Sequence, residues 1–382
     1  MAGATDTGYR FGVEEELFLA DAATRGTPDA EAARAFHEAV ARTIEGAGRE
    51  NLQNQVEIQA PPADRATHAL ERLTAARATL GSLARAQGLV VFASGTHPNS
   101  CWQDQDRSEG DRYEQMVAEY GILASRNMVS ALHVHVEVPD PSRRAVLMRR
   151  MVPFLPLFLA LSASSPFWGC RDTGLKSYRM AAYREWPRSG VPDLMEDEAD
   201  YARYLSVMIR SGAIPDESYL WWAIRPSGKF PTLELRVCDS CASVADSVAI
   251  ASLYRCVVRM LDRRDDVHAG LTGASRAIAC ENLWRVQRHG AAATLIDEAS
   301  AEMRPVADQL DRLLALVEED AEVLGCPEAP DAVRAIARRG TGADRQRAAW
   351  RQARDAGQDE ARSLAAVVDM LAGATAAEAS PC

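Results

Sequence analysis

Four stretches of the chain alternate apolar and polar residues with a period of two. This is the pattern of a strand with one face in a core and the other turned outward. In 9–19, Phe11, Val13 and Leu17 share one face and Glu14 and Glu16 the other. In 51–59, Gln53, Gln55 and Glu57 fall together, and Pro61 and Pro62 are expected to stop the strand. In 129–138, Leu132, Val134 and Val136 oppose His133, His135 and Glu137. In 231–238, Glu234 and Arg236 share a face. A short apolar strand is expected over 89–94, ending at Gly95.

Helical spacing predicts a helix over 31–44, a second from an Asp64 cap to about residue 87, and a third over 142–164 in spite of Pro153 and Pro156. From 244 onward the chain reads as almost all helix, near 244–265, 275–289, 300–319, 331–339 and 343–371. Residues 101–121 read as loop and helix, and 165–192, rich in arginine and aromatic residues, as an ordered functional loop. A small polar tail over 372–382 is expected to fray. The uneven connections lack a βαβ rhythm and favour an α+β fold with an antiparallel or mixed sheet, in a single catalytic domain over 1–371.

Composition narrows the function classes. Of 382 residues, 47% are hydrophobic and 25% charged, which is ordinary for a globular chain. The net charge of −11 argues against nucleic acid as a partner, since a phosphate backbone selects a basic face. Residues 1–9 show no signal-peptide pattern, and the apolar stretch 151–163 falls short of the roughly 18 residues a membrane span needs. No membrane partner and a cytoplasmic location are expected. Among the 8 cysteines, Cys238 and Cys241 make a lone C-x-x-C with no second pair, and reduced thiols are the expected state.

The chemistry lies on the polar strand faces. Glu14 and Glu16 held side by side repel unless a cation or a proton lies between them. Oxygen ligands of this kind suit Mg²⁺ or Mn²⁺. An isolated E-x-E equally suits a solvated strand, and His133-x-His135 alone would also allow zinc and a metal-dependent hydrolase or lyase. Four such faces together suggest one sheet whose concave face is the active site, with helices packed behind it. Arginines beside glycine and aromatics, including Arg171, Arg179 and Arg225, suit phosphate or carboxylate recognition. No Walker A or GxGxxG motif is present. Asn282, Arg285 and Arg288, spaced i, i+3 and i+6, either line the site or face solvent.

The segments FGVEEELFL, QNQVEIQAP, SGTHP, ALHVHVEVPD, LALSASSPFWGCRDTG, WWAIRPSGKFPTLELRVCD and ENLWRVQRHG, in that order, resemble the carboxylate-amine ligase branch of the glutamate–cysteine ligase type 2 family. The resemblance runs from about residue 9 to 290. It implies a sheet like that of the glutamine synthetase catalytic domain, ATP and Mg²⁺ (or Mn²⁺) as cofactors, small-molecule carboxylate and amine substrates, and a homodimer. It implies that Glu14, Glu16, Glu57, His133 and Glu234 hold metal and that Arg236 and Arg225 contact phosphate or substrate carboxylate. Gln53, Gln55, His135, Arg171, Arg179, Trp222 and Arg288 are further candidates for contacts to substrate or ATP. The implied reaction phosphorylates a carboxylate, usually the glutamate side chain, and an amine such as cysteine then attacks the acyl phosphate. A ligase of secondary metabolism with an unusual acid or amine is the nearest variant.

Overall fold

The structure, a computed structural model, describes residues 8–50, 52–105 and 111–377. Seven strands form its main sheet: β1 (Phe11–Asp21), β2 (Ala47–Arg49), β3 (Gln55–Ala63), β4 (Leu89–Phe92), β5 (Ala131–Glu137), β6 (Ile224–Pro226) and β7 (Thr232–Asp239). Their order is β6-β7-β5-β1-β3-β2, with β4 also paired to β1, and every pairing is antiparallel. The architecture is the expected α+β, with helices filling most of the last third.

The period of two holds on the three central strands. Val13 and Leu17, Leu132, Val134 and Val136, and Leu233, Leu235 and Val237 are all buried on the helix-covered side. The helices Ala66–Ala86 and Val244–Arg263 contribute Leu73, Leu80, Ile250 and Val257 to that core. Glu15 also points that way. Arg77 donates to both its carboxylate oxygens at 2.8 and 2.7 Å, and to the carbonyls of Ala242 and Cys241 at 2.7 and 2.8 Å. The middle glutamate of the acidic triplet is thus a structural anchor, its charge matched and four of its partner's five N–H donors used inside the core.

Several expected boundaries move. The strand β3 runs through Pro61 and Pro62 to Ala63, because the prolines lie where the register with β1 shifts between Phe11 and Val13. Their missing N–H groups interrupt little there, and their carbonyls accept from Arg72. Asp64 does not cap the helix; Arg65 takes that position and Asp64 binds His68 Nδ1 at 3.0 Å. The expected helix over 300–319 begins later. A hairpin, Thr294–Asp297 with Glu302–Pro305, precedes the helix Val306–Val323. The long helix over 343–371 is two, Gly342–Asp355 and Glu360–Ala377, parted where Gly357 adopts a φ of +82°. The tail expected from 372 stays helical to Ala377: Thr375 is buried and its hydroxyl accepts from Ala93 N at 3.0 Å. Residues 378–382 lie outside the described residues.

The apolar stretch belongs to a helical run, Pro141–Ser162, whose 22 residues are long enough to cross a membrane. Of its most apolar window, 83% is buried inside the protein, so it is a core helix by burial rather than by shortness.

Candidate active site

Strand alternation brings Glu14 and Glu16, Glu57, His133 and His135, and Glu234 and Arg236 onto the sheet face opposite the helices. Register makes them neighbours: Glu14 stands opposite His133, Glu16 opposite Glu57, and His135 opposite Glu234. They line a cavity of about 720 Å³. His133 Nδ1 lies 3.6 Å from Glu14 Oε2 and its Nε2 3.9 Å from Glu16 Oε1. His135 Nε2 lies 3.5 Å from Glu14 and 3.9 Å from Glu234. Three overlapping groups bring ligand atoms within 4.8 Å of one another: Glu14, Glu57 and His133; Glu14, His135 and Glu234; and Glu16, Glu50 and Glu57.

Four of these side chains are aimed by a further partner. Glu16 accepts from the Ala131 backbone N–H at 2.7 Å. His135 Nδ1 meets Thr232 Oγ1 at 3.0 Å, and Glu57 accepts from Gln59 Nε2 at 2.8 Å. Glu234 is buried between two arginines. Arg225 donates to it through Nε at 2.7 Å, and Arg236 through one terminal nitrogen. Arg225 also donates to the carbonyls of Leu220 and Ser218, at 2.7 and 3.2 Å.

Electrostatics separate the carboxylates. Burial and then the charges of Glu14 and Glu16 push the Glu57 carboxyl up to about 8. Burial would also raise Glu14, but its bonds to His133 and His135 outweigh burial and hold it low. Glu234 is held well below the usual carboxylate range: burial opposes this, and the charges of Arg236 and Arg225 prevail. Burial and the nearby Arg236 lower His133, whereas Glu14 and Glu234 raise His135 against its burial.

Arg179 reaches the cavity but is almost wholly enclosed, donating to the carbonyls of Arg236 and Val237 at 3.1 and 3.3 Å. Five other candidates do not line the cavity. The carbonyl of Gln53 meets His37 Nε2, and the side chain of Gln55 donates to Val129 O at 2.7 Å. Arg171 is exposed in a two-residue strand, and Trp222 is buried against Tyr204. Arg288 is exposed and donates to Gly174 O. Asn282 turns inward and clamps the Ile296 backbone at 2.7 and 2.9 Å, away from this cavity. Cys238 and Cys241 are buried beneath the sheet, and burial pushes the Cys238 thiol up to about 12.

Sequence reasoning missed Glu50, Asp216, Glu217 and Lys229 on the cavity wall, whereas Tyr183 and Trp186, also on that wall, belong to the aromatic stretch 165–192 expected to be functional. Those four missed residues lie on loops and turns, where no periodicity marks a side chain's direction; the charged Gly-Lys turn after Arg225 was the one available signal for them. The SGTHP and SASSPFWG segments turn out to build the support beneath. Asp239, at the end of β7, accepts from Ser164 N and Ser165 Oγ, at 2.9 and 2.6 Å, and from Ser177 Oγ at 2.9 Å, while Gly95 packs against it without room for a β-carbon.

The sequence profile of glutamate-cysteine ligase family 2 matches residues 10–368. The chain belongs to glutamate-cysteine ligase family 2. A Bradyrhizobium diazoefficiens protein named "Putative glutamate--cysteine ligase 2" is 44% identical over 344 residues, which are 90% of this chain and 80% of that protein. A relative of the same name from Rhodospirillum rubrum is 37% identical over 97% of this chain and 96% of its own length. Membership of this family makes the protein a ligase.

Solved structures share the fold. The glutamate–cysteine ligase of Francisella tularensis, crystallised with AMP, superposes with a TM-score of 0.66 at 14% identity, over 97% of this chain and 93% of that one. The bifunctional glutathione synthetase of Pasteurella multocida gives 0.67 at 16% identity, over 97% of this chain and 52% of its own. The cavity therefore lies in the sheet of a glutamate–cysteine ligase fold.

Proposed function

We propose that this ligase uses ATP and a divalent cation, Mg²⁺ or Mn²⁺, to join the side-chain carboxylate of glutamate or a similar amino acid to an amine through an acyl phosphate. The observation that carries the reading is the set of three overlapping groups, two of carboxylates with a histidine and one of carboxylates alone, in the cavity that Arg236 also lines. The donors suit a hard ion. They are mostly carboxylate oxygens, the ligand type of Mg²⁺. His133 Nε2 is buried without a hydrogen-bond partner among the described residues, and burial together with the charges of Glu14 and Glu16 favours the protonated form of Glu57. A cation at Glu14, Glu16, Glu57, His133 and Glu234 would relieve both. When bound, it would neutralise charge on the β- and γ-phosphates, which phosphoryl transfer requires.

The chain's own residues do the rest. Arg236 lines the cavity beside Glu234 and Tyr183, where its guanidinium is placed to meet phosphate or a substrate carboxylate. Arg225 spends its donors on Glu234 and two carbonyls, so it acts as a positioning residue. The sheet face holds the reacting groups at fixed spacing, which lowers the entropy cost of bringing carboxylate, phosphate and amine together. The AMP bound to the Francisella tularensis relative supports nucleotide use.

A zinc hydrolase on His133 and His135 fits less well. Among the described residues each candidate group contains at most one histidine, with two or three carboxylates. Purified protein with ATP and Mg²⁺ should release ADP in the presence of an amino-acid carboxylate and an amine. No release across a broad panel, or tightly held stoichiometric zinc, would overturn the proposal.

A further inference from the structure

The strand β7 does not pair evenly with β5. Leu235 stands opposite Val134 and Cys238 opposite Leu132, so three steps along β7 are matched by two along β5. The extra residue makes a β-bulge, formed by Arg236 and Val237 across from His133. A bulge takes backbone groups out of the ladder and bends the strand. The aim of a side chain on it then depends on what holds that backbone. Here the side chain is Arg236, whose guanidinium lines the cavity.

Arg179 holds the bulge. Its terminal nitrogens donate to both bulge carbonyls, Nη2 to Arg236 O at 3.1 Å and Nη1 to Val237 O at 3.3 Å. The short helix Arg179–Tyr183 also brings Tyr183 to the far end of Arg236. Arg236 Nη2 donates to the Tyr183 hydroxyl at 3.4 Å, and the Arg179 guanidinium lies 5.3 Å from the centre of the Tyr183 ring. Arg236 is gripped at its backbone by Arg179 and at its tip by the ring that Arg179 covers. The grip is anchored in turn. The Arg179 side chain is 2% exposed, and Asp239, fully buried, lies 3.9 Å from it. Ser164, Ser165 and Ser177 fix Asp239, and Ser165 Oγ accepts from Arg179 N at 3.0 Å. Only a planar fork can take two neighbouring carbonyls at once, which a lysine ammonium at the same place could not.

We propose that Arg179 is a positioning residue: through the bulge and through Tyr183 it sets the aim of Arg236, and it touches neither phosphate nor substrate carboxylate itself. The proposal rests on the ligase reading for what Arg236 meets, while the brace on Arg236 stands on the geometry of the free protein. The rival role is a direct contact, since Arg179 also reaches the cavity wall. The two roles part in one respect. A brace matters only while Arg236 is there to be aimed, whereas a direct contact, or a merely structural residue, matters with or without it.

The test is a double-mutant cycle on the full chain, read by calorimetric binding of ATP with Mg²⁺ and of L-glutamate. Arg236→Met should weaken the ligand that Arg236 meets about tenfold or more, the loss of one charge-assisted hydrogen bond. Arg179→Lys keeps a cation beside Asp239 and gives up the fork. It should weaken the same ligand by a similar factor in the wild-type background, and by less than about twofold in Arg236→Met. Tyr183→Phe removes one hydroxyl and should weaken that ligand about threefold, again only where Arg236 is present. Melting curves check that each variant is folded, and Tyr183→Phe carries the cycle by itself where Arg179→Lys is not. A crystal structure of Arg179→Lys reads the aim of Arg236 without any ligand, and its guanidinium should have left the Tyr183 hydroxyl.

Unchanged binding of both ligands in folded Arg179→Lys would overturn the brace. So would an equal loss with and without Arg236, which would make Arg179 a contact in its own right, or an Arg236 side chain left in place in the crystal. A displaced Arg236 in a protein that binds neither ligand and turns over no ATP would sink the ligase reading and leave the brace standing.

Discussion

Glu14, Glu15 and Glu16 are chemically identical and adjacent, and the fold gives the middle one an opposite role. Glu15→Gln tests this. The Glu15 and Arg77 side chains are 1% and 2% exposed, and the guanidinium uses two donors on Glu15 and two on backbone carbonyls. Neutralising the carboxylate leaves Arg77 as an uncompensated buried charge. Breaking one partner of such a pair costs about 3–5 kcal/mol. With an unfolding entropy of about 2.1 cal/mol/K per residue, a chain of this length changes stability by about 0.8 kcal/mol per degree near its midpoint, so the melting temperature should fall by about 4–6 °C. Glu16→Gln makes the contrast. Its amide oxygen still accepts from Ala131 N, and it removes one of the charges that crowd Glu57. In chelator its melt should stay level or rise, while ATP turnover is lost. Calorimetry on both variants beside wild type, with turnover measured on the same samples, decides the matter. A Glu15→Gln melt within about 1 °C of wild type, or an equal drop in Glu16→Gln, would refute the assignment of the two faces.

Two further outcomes follow from particular contacts. The folded protein raises Glu57 to about 8 from an ordinary 4.5, so it binds a proton that the unfolded chain releases. This contribution to stability is whole below about pH 4.5 and is lost as pH rises through 8. In chelator the melting temperature should therefore fall between pH 5 and 8; the slope should flatten in Glu57→Gln, and Mg²⁺ should restore the loss at pH 8. A flat wild-type profile would count against a protonated Glu57. Gly95→Ala would put a β-carbon 2.7 Å from Asp239 Cγ and 2.9 Å from Ser165 Cβ, both buried. Overpacking of this kind costs about 1–3 kcal/mol, a fall of about 1–4 °C in a thermal melt, and an unchanged melt would show that the Asp239 network has slack.

The sequence by itself determined which residues share a strand face. Side-chain direction along a strand is a local property with a fixed period, so Glu14 with Glu16, and His133 with His135, follow from the chain alone. The family motifs then linked four faces into one site, and the structure places all four on one sheet. Tertiary structure alone decided the register that sets Glu16 against Glu57 and Glu14 against His133, because pairing depends on strands far apart in the chain. It also separated Glu15 from its neighbours by supplying Arg77, and it sent Trp222 and Gln55 into packing while bringing Glu217 and Lys229 to the cavity. Loop side chains have no period to read. Their direction is fixed by contacts such as Arg225 on Ser218 and Arg144 on Ser227, which exist only once the sheet and its helices are assembled.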